Sequence, residues 1–537
     1  MRRRYGIAAV IAACTVLLTG CFGPSGGTGG TTGGALPNDD QTLRVLAGSE
    51  VKDMVPILTE AAKATGVKVV FQYTGTLAGT ELVASGGAAG KYDATWFPNN
   101  RYLSLLPGAS SAITSSVKIM SSPVVLGLRT PVAQQLGWDA TAPTWSDLAA
   151  AASSGKFTYG MTNPASSNSG FSALVAVATA LSGTGSSLTA ADIDAVKPQL
   201  TGFFSGQKLT AGSSGFLADK FTANPDVVDG IINYESVLKE LTPGGQPLTI
   251  VTPSDGVVTS DYPLTLLSSA DATKKPLFDQ LTAWLTTPAV QKEIVDQTKR
   301  RPGIPGVDTG TTFPPGILFE TPFPNTLDVA NTLISTYLES VRSPAQTVFL
   351  LDTSGSMGGS RIASLQKALK NLAGADESTA GGFAAFRARE RVSLIPFNSS
   401  PETPTIIDIP DTDKTASLTQ ISDLADSLTA GGGTAIYDSL IEAYTLAVAQ
   451  KKERPDTFVS IVLMTDGENN VGADVNAFND FYGQLGSSAT GIPTFVVLFG
   501  EGNVKELTSV ATLTGGKTFD ALNGDLAGAF QEIRGYQ

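Results

Sequence analysis

One short stretch constrains the fold of this 537-residue chain more than any other, Asp352-Thr353-Ser354-Gly355-Ser356. A β-favouring, mostly apolar run precedes it at 347–351, and an amphipathic run at helical spacing follows it at 362–372. This order of buried strand, polar turn and helix is typical of an α/β sheet, in which ligands bind at the carboxyl ends of strands. Because side chains alternate along an extended or looped backbone, one carboxylate and two hydroxyls can point the same way. Such a set of hard oxygens suits Mg²⁺, Mn²⁺ or Ca²⁺.

Two later segments fit the same site. Thr434 follows a run of three glycines and opens a second helical pattern. Asp466 follows the apolar run 458–464, which has the composition of another buried strand. In this order, the three segments look like the metal-ion-dependent adhesion site of von Willebrand factor A domains. From the residues of the first segment alone, a turn with helix-capping serines is the alternative.

The resemblance implies a doubly wound, Rossmann-like α/β domain over residues 346–537. It also implies that this domain holds a divalent cation, with Mg²⁺ expected and Mn²⁺ or Ca²⁺ as alternatives. The implied metal ligands are Asp352, Ser354, Ser356 and Thr434, with Asp466 acting directly or through water. A carboxylate from a partner protein would complete the coordination, as in the adhesion chemistry of that family.

The first part of the chain begins strand-helix-strand, with strands predicted at 43–46 and 67–73, which indicates a parallel sheet. Further motifs then follow in order. They are a T-G-T turn at 74–76, G-x-x-D-A-x-W at 90–96, an apolar hinge strand at 123–128, N-P-x-x-S-N-S-G at 163–170, and N-Y-E-S at 233–236. This succession resembles the type II extracellular solute-binding proteins.

That resemblance implies a domain over 42–323 with two α/β lobes and a cleft between them, as in periplasmic binding proteins. Lobe one would hold roughly 42–120 and 255–315, and lobe two roughly 121–254. The polar groups of the cleft-facing turns suit a small polar or anionic solute. The candidate ligand-binding residues are Ser49, Thr76, Thr80, Asn99, Ser166, Asn168, Ser169 and Tyr234. Ordinary helix capping and tight turns are the alternative for each.

A helical pattern within 324–345 is expected to link the two domains. At the other end of the chain, three arginines, an apolar run at 7–18 and the sequence Leu-Thr-Gly-Cys predict an export signal over 1–20. The Leu-Thr-Gly-Cys sequence resembles the bacterial lipobox. This resemblance implies that Cys21 is diacylated and anchors the exported protein on the extracytoplasmic side of the cell membrane. An ordinary secretory signal is the alternative. The Gly, Thr and Ser-rich residues 21–41 predict a flexible tether.

Charge and composition exclude some functions. The formal charge of −13 argues against a nucleic-acid partner. The chain contains no histidine, which excludes Ser-His-Asp and Cys-His catalysis. A Ser-Lys hydrolase stays open, but we expect a binding protein and not an enzyme. The expected function is a lipid-anchored protein that binds a partner protein through the cation, while the solute-binding domain senses or presents a small ligand. The alternative is the substrate-binding receptor of an ABC-type transporter, with the C-terminal domain as a docking module.

Overall fold

The computed structural model describes residues 36–314, 316–500, 503–521 and 526–536. The predicted signal 1–20, Cys21 and most of the predicted tether therefore lie outside the described residues. In the part of the chain that is described, no helix is long and apolar enough to cross a membrane.

The first domain alternates strands and helices. Its strands are β1 (Thr42–Ala47), β2 (Lys68–Tyr73), β3 (Ala94–Trp96), β4 (Ile113–Lys118), β5 (Met120–Arg129), β6 (Tyr159–Thr162), β7 (Gln207–Ala211), β8 (Gly230–Tyr234), β9 (Leu248–Val251), β10 (Thr259–Ser260), β11 (Pro263–Leu267) and β12 (Arg301–Pro302). Its helices are α1 (Val55–Thr65), α2 (Thr76–Ala84), α3 (Arg101–Leu105), α4 (Thr130–Leu136), α5 (Trp145–Ser153), α6 (Asn168–Ser182), α7 (Ala190–Ser205), α8 (Ser214–Ala223), α9 (Glu235–Glu240), α10 (Lys274–Leu285) and α11 (Pro288–Thr298).

These strands form two sheets, one in each lobe. The sheet of lobe one has the order β2-β1-β3-β11-β4, with β1 parallel to both of its neighbours and β11 antiparallel to both of its own. The sheet of lobe two has the order β10-β5-β8-β6-β7, and β9 and β12 also pair with β5. The chain passes between the lobes next to β5 and next to β10, close to the predicted boundaries. The two-lobed α/β architecture expected from the sequence is thus confirmed.

A helix, α12 (Leu327–Thr336), lies within the predicted linker and continues as a π-helical turn at Tyr337–Val341. It contacts both lobes. The Tyr102 hydroxyl of lobe one donates to Asn331 Oδ1 at 2.9 Å, and the Tyr337 ring packs edge-on against Phe204 of lobe two at 4.9 Å. The linker is therefore packed on the first domain along its length.

The second domain is built around one sheet. Its strands are β13 (Ala345–Asp352), β14 (Arg391–Phe397), β15 (Thr405–Asp408), β16 (Phe458–Thr465), β17 (Thr494–Leu498) and β18 (Thr518–Asp520). Its helices are α13 (Ser360–Lys370), α14 (Thr379–Ala384), α15 (Thr415–Ser427), α16 (Ile436–Glu453), α17 (Val475–Leu485), α18 (Val504–Leu513) and α19 (Leu526–Gly535).

The strand order in this sheet is β15-β14-β13-β16-β17-β18, and every neighbouring pair is parallel except β14 with β15. All eight residues of the central strand β13 are buried. A parallel strand buried on both faces requires helices on both sides of the sheet. The predicted doubly wound domain is confirmed, and its central strand ends at Asp352.

The last helix of the second domain returns to lobe two of the first. Asn163 Nδ2 donates to the Arg534 carbonyl oxygen at 3.2 Å, and the Tyr536 ring packs edge-on against Phe216 at 4.7 Å. Arg534 also donates to the buried carboxylate of Glu390, which accepts a second bond from Arg342 of the linker. Linker and last helix are thus held by the same carboxylate.

Candidate functional site

The loop after β13 is folded around the carboxylate of Asp352. One oxygen of this buried side chain accepts a bond from the Ser354 backbone N–H at 2.8 Å, and the other accepts one from the Thr465 hydroxyl at 2.6 Å. The hydroxyl oxygens of Ser354 and Ser356 lie 3.1 Å apart. The alternation expected from the sequence therefore places these two hydroxyls next to each other, beside the carboxylate.

The glycine-rich loop packs directly on this turn. The Gly355 N–H donates to the Gly432 carbonyl at 3.1 Å, and the Gly431 N–H donates to the Thr353 carbonyl at 2.8 Å. Gly432 has a φ of +85°, a conformation that side chains disfavour, so the close approach depends on glycine. The loop continues into Thr434, which is buried at the start of the following turn.

Asp466 follows β16, the strand next to β13. Its Oδ2 accepts a bond at 2.7 Å from Arg361 Nη1, which also donates to the Ser356 carbonyl at 3.1 Å. Burial raises the pKa of the Asp352 carboxyl, the bonds from Ser354 and Thr465 oppose that rise, and the charge of Asp466 adds to it. Electrostatic coupling between the two carboxyls is what their positions at adjacent strand ends predict.

The three loops place all five residues predicted to hold a metal at one edge of the sheet, where the Thr434 hydroxyl lies 3.5 Å from Asn470 Nδ2. Two carboxylates and three hydroxyls are oxygen ligands of the kind that Mg²⁺ and Ca²⁺ prefer. The site has only two carboxylates. The described residues include no group of three or more His, Cys, Asp or Glu placed to hold an ion. The donor set and the raised pKa of Asp352 fit a divalent cation, and metal binding by these residues stays a prediction.

The cleft between the lobes of the first domain contains a buried network of amides and hydroxyls. Asn99 Nδ2 of lobe one donates to Asn168 Oδ1 of lobe two at 3.0 Å. Asn168 Nδ2 in turn lies within hydrogen-bond distance of the Tyr234 hydroxyl, at 3.1 Å, and of Ser260 Oγ, at 3.0 Å. Three predicted cleft residues therefore meet across the lobes, and the cleft is closed over them.

Ser169 is the centre of a second, smaller group. Its hydroxyl lies 2.8 Å from Thr162 Oγ1 and 2.8 Å from Ser214 Oγ, and it is fully buried. Burial of this hydroxyl at the first turn of α6 costs little because other hydroxyls satisfy it.

The remaining predicted cleft residues are less involved in the network. Thr80 donates to the Leu77 carbonyl within its own helix, and Thr76 is buried in the first turn of that helix. Ser49 is half-buried beside β1. Ser166 donates to the carbonyls of Asn163 and Gly212, and a Cβ added at Gly535 would lie 2.8 Å from its oxygen, so this hydroxyl faces the last helix of the second domain. Ligand binding by all eight residues stays a prediction.

Sequence reasoning missed several residues of both sites. In the cleft these are Glu50, Ser214, Ser260, Tyr262 and Arg300, and at the predicted metal site they are Thr465, Arg361 and Asn470, whose Oδ1 accepts from the Thr434 N–H at 2.8 Å. Glu50 directly follows Ser49, a predicted cleft residue, so its position carried a signal. Arg361 and Asn470 carried none, because their contacts depend on loop packing.

Comparisons with known proteins divide the chain in the same way. A family model described as bacterial extracellular solute-binding protein matches residues 43–297, and the model for the von Willebrand factor type A domain matches residues 347–532. The extracellular character of the first family places the chain among exported proteins. No curated protein matches the chain.

Solved structures similar to the chain include several binding proteins. The ferric binding protein from Campylobacter jejuni is 12% identical, with a TM-score of 0.40, over 55% of this chain and 98% of its own. AfuA from Actinobacillus pleuropneumoniae, with fructose-6-phosphate bound, is 13% identical, with a TM-score of 0.44, over 56% and 98%. Iron-bound HitA from Pseudomonas aeruginosa is 15% identical, with a TM-score of 0.42, over 55% and 96%. From its two family matches, the chain joins a domain of the bacterial extracellular solute-binding family to a von Willebrand factor type A domain.

Proposed function

We propose that this protein is a cell-surface binding protein that uses a divalent cation in its von Willebrand factor type A domain to bind a partner protein. The observation that carries the proposal is the convergence of three loops, which brings Asp352, Ser354, Ser356, Thr434 and Asp466 to one edge of the sheet. Mg²⁺ is the proposed ion, and Mn²⁺ and Ca²⁺ are the alternatives.

The chemistry of the donor set favours recognition of an acidic partner. Three of the five donors are neutral hydroxyls, and one of the two carboxylates, Asp466, is already paired with Arg361. The ion supplies a positive charge that these few carboxylates do not fully neutralise, and a carboxylate of the partner would complete the charge balance.

In this proposal the first domain binds a small polar solute in its cleft and senses or presents it. The cleft network and the second domain are connected through the turn 163–169: Asn168 and Ser169 belong to the cleft, and Asn163 binds the last helix of the second domain. A solute that changes the position of this turn would therefore change the contact between the two domains. No catalytic step is part of the proposal.

Attachment to the membrane through acylated Cys21 completes the proposed function. The supporting observation is the Leu-Thr-Gly-Cys sequence after an apolar run in a chain of an extracellular family. Two acyl chains on one cysteine give stable attachment to a bilayer. Detergent partitioning of cells that express Cys21→Ser tests this part, and equal partitioning of variant and wild type would contradict it.

The central experiment is a melting curve of the full chain in EDTA, Mg²⁺, Mn²⁺ and Ca²⁺. A ligand that binds the folded state stabilises it by mass action. We expect at least one cation to raise the melting temperature. Identical curves under all four conditions would remove the chemical basis of the adhesion function, and the transport receptor would then be the better account.

A further inference from the structure

Glu50 is a half-buried residue whose carboxyl group lies between the two lobes. It follows β1 within a 3-10 turn, Ser49–Met54, and the Ser214 side chain of lobe two lies against its carboxyl. Two phenols, Tyr234 of lobe two and Tyr262 at the start of β11, are near enough for the Glu50 charge to help burial raise the pKa of each. Hydroxyl groups from both sides of the cleft therefore surround this carboxylate.

One oxygen of this carboxylate is left unsatisfied. Glu50 Oε2 is inaccessible to solvent and has no hydrogen-bond partner among the described residues, and the same holds for the Tyr262 hydroxyl. A buried acceptor without a partner costs free energy, and a charged one costs more than a neutral one. A Cβ at Gly48 would collide with Oε2, so the glycine is what allows the carboxylate to fold back to this position. The fold thus keeps in the cleft a carboxylate oxygen, Glu50 Oε2, whose burial without a hydrogen bond is unfavourable.

Burial raises the pKa of Glu50 and the charge of the neighbouring Arg300 lowers it, but Arg300 donates no hydrogen bond to Oε2. Arg300 is fully buried, but its Nη1 donates to Asp53 Oδ2 and its Nη2 donates to the backbone carbonyl of Glu50 at 2.9 Å. Its guanidinium carbon lies 4.8 Å from the centre of the Tyr262 ring. Arg300 thus bonds to Asp53 and to a carbonyl, while its own Nε and Glu50 Oε2 both stay buried without a hydrogen-bond partner among the described residues.

We propose that the cleft binds a small hydroxylated ammonium compound, an amino alcohol or an amino sugar, whose ammonium group donates to Glu50 Oε2. This inference rests on the proposed function, in which the cleft binds a solute. Tyr234, whose ring packs edge-on against Tyr262 with the ring centres 5.9 Å apart, would line the site beside Glu50. The amides of Asn99 and Asn168 and the hydroxyl of Ser260 would exchange their mutual bonds for bonds to the ligand hydroxyls. A phosphate or sulfate would meet the repulsion of Glu50.

The experiment compares probes that differ in one group. Glucosamine and glucose form one pair, 2-amino-1,3-propanediol and glycerol a second, and glucose 6-phosphate is the anionic member. Each is added at the same millimolar concentration to the full chain at neutral pH, and the melting temperature is measured. We expect a rise with at least one ammonium compound, a smaller rise or none with its neutral counterpart, and none with the phosphate.

Calorimetric titration of two variants then tests the residue. Glu50→Gln keeps the shape of the side chain and removes its charge, so affinity for the ammonium probe should fall roughly tenfold or more, because a charged hydrogen bond is lost. Glu60→Gln, an exposed glutamate of the same lobe, is the matched control and should leave the affinity unchanged. If Glu50→Gln does not fold, Glu50→Asp decides the question, since it keeps the charge but withdraws the carboxylate from the ammonium group, and unchanged affinity would overturn the proposal.

The outcomes separate this inference from the proposed solute binding. Suppose that the phosphate or a neutral sugar binds, and that its affinity for Glu50→Gln equals its affinity for wild type. The cleft is then a solute site, but the ammonium inference is wrong. If no probe changes the melting temperature, both are overturned for compounds of this size. A rise that appears only with the ammonium compounds and disappears in Glu50→Gln supports both.

Discussion

The cleft of the first domain and the loop site of the second are both polar assemblies next to the ends of β-strands, but they differ in charge balance. In the cleft, Asn99, Asn168, Tyr234 and Ser260 form hydrogen bonds with one another across the lobes, and Glu50 is the exception. At the loop site, two carboxylates lie on adjacent strands: Asp466 pairs with the half-exposed Arg361, and Asp352 accepts bonds from neutral donors. Closure of the cleft is therefore stabilised by its own neutral groups, whereas the loop site keeps a negative charge that a cation can offset.

This comparison predicts its largest effect for Asn168→Ala. The substitution removes the amide that joins Asn99, Tyr234 and Ser260, and leaves buried groups without partners, at a cost of about 3 kcal/mol in the free energy of unfolding. Urea denaturation measures the cost. The exposed Asn479→Ala is the matched control and should cost far less. Equal costs in the two variants would show that the network does not hold the lobes together.

The second effect belongs to the loop site. Divalent metal at a hundredfold excess over its dissociation constant should stabilise the full chain by about 2.7 kcal/mol. Asp352→Asn should remove most of this gain, because it deletes a buried anionic ligand, and in EDTA it should make the protein more stable by removing a desolvated charge. Asp480→Asn, at an exposed position of the same domain, should neither reduce the stabilisation by metal nor raise the stability in EDTA. A full metal response in Asp352→Asn would contradict the assigned ligands.

A third prediction uses pH to distinguish Glu50 from its neutral neighbours. Burial raises the pKa of the Glu50 carboxyl above its ordinary value of 4.5, so the folded state binds this proton more readily than the unfolded state. Glu50 therefore destabilises the fold above its raised pKa, and this penalty declines as pH falls through that value and is gone below 4.5. Wild type should gain stability relative to Glu50→Gln over that interval in denaturant titrations. Parallel pH profiles would mean that Glu50 is not desolvated in solution.

The smallest effect is expected for Thr434→Ala. A neutral hydroxyl contributes about 1 kcal/mol to coordination or hydrogen bonding, so the affinity for Mg²⁺ should fall roughly fivefold while stability in EDTA changes little. Calorimetric titration of the metal measures the first quantity and thermal melting the second. Thr445→Ala, on an exposed helix face, should leave the affinity for metal unchanged. If both variants bind Mg²⁺ like wild type, Thr434 is not a ligand.

The same contrast explains what the sequence could predict. The loop site is built by contiguous motifs at the ends of parallel strands. Because the carboxyl ends of such strands lie at one edge of the sheet, the amino-acid pattern is enough to place Asp352 and Asp466 together. The cleft requires pairing of residues far apart in the chain. The order of motifs is enough to place Asn99, Asn168 and Tyr234, but Thr80, whose hydroxyl bonds within its own helix, shows that residue type alone does not indicate orientation.

Other residues depend on contacts that no local pattern encodes. The Glu50 carboxylate folds back over Gly48. Arg361 is positioned by the packing of α13 against the loop after β16. Ser166 faces the second domain because the last helix returns to lobe two. These features arise from tertiary packing, so a periodicity or motif in the sequence carries no signal for them.

The contact between Tyr536 and Phe216 has a consequence for biosynthesis. About 320 residues separate the two rings in the chain, and at 5–20 residues per second the ribosome needs about 15 to 60 seconds to add them. During that time the aromatic face of lobe two around Phe216 has left the ribosome while the helix that covers it is still unmade. An apolar surface exposed for so long is a binding site for chaperones and a starting point for aggregation. Secretion of this protein should accordingly be sensitive to substitutions in its final helix, even though that helix lies far in sequence from the domain it covers.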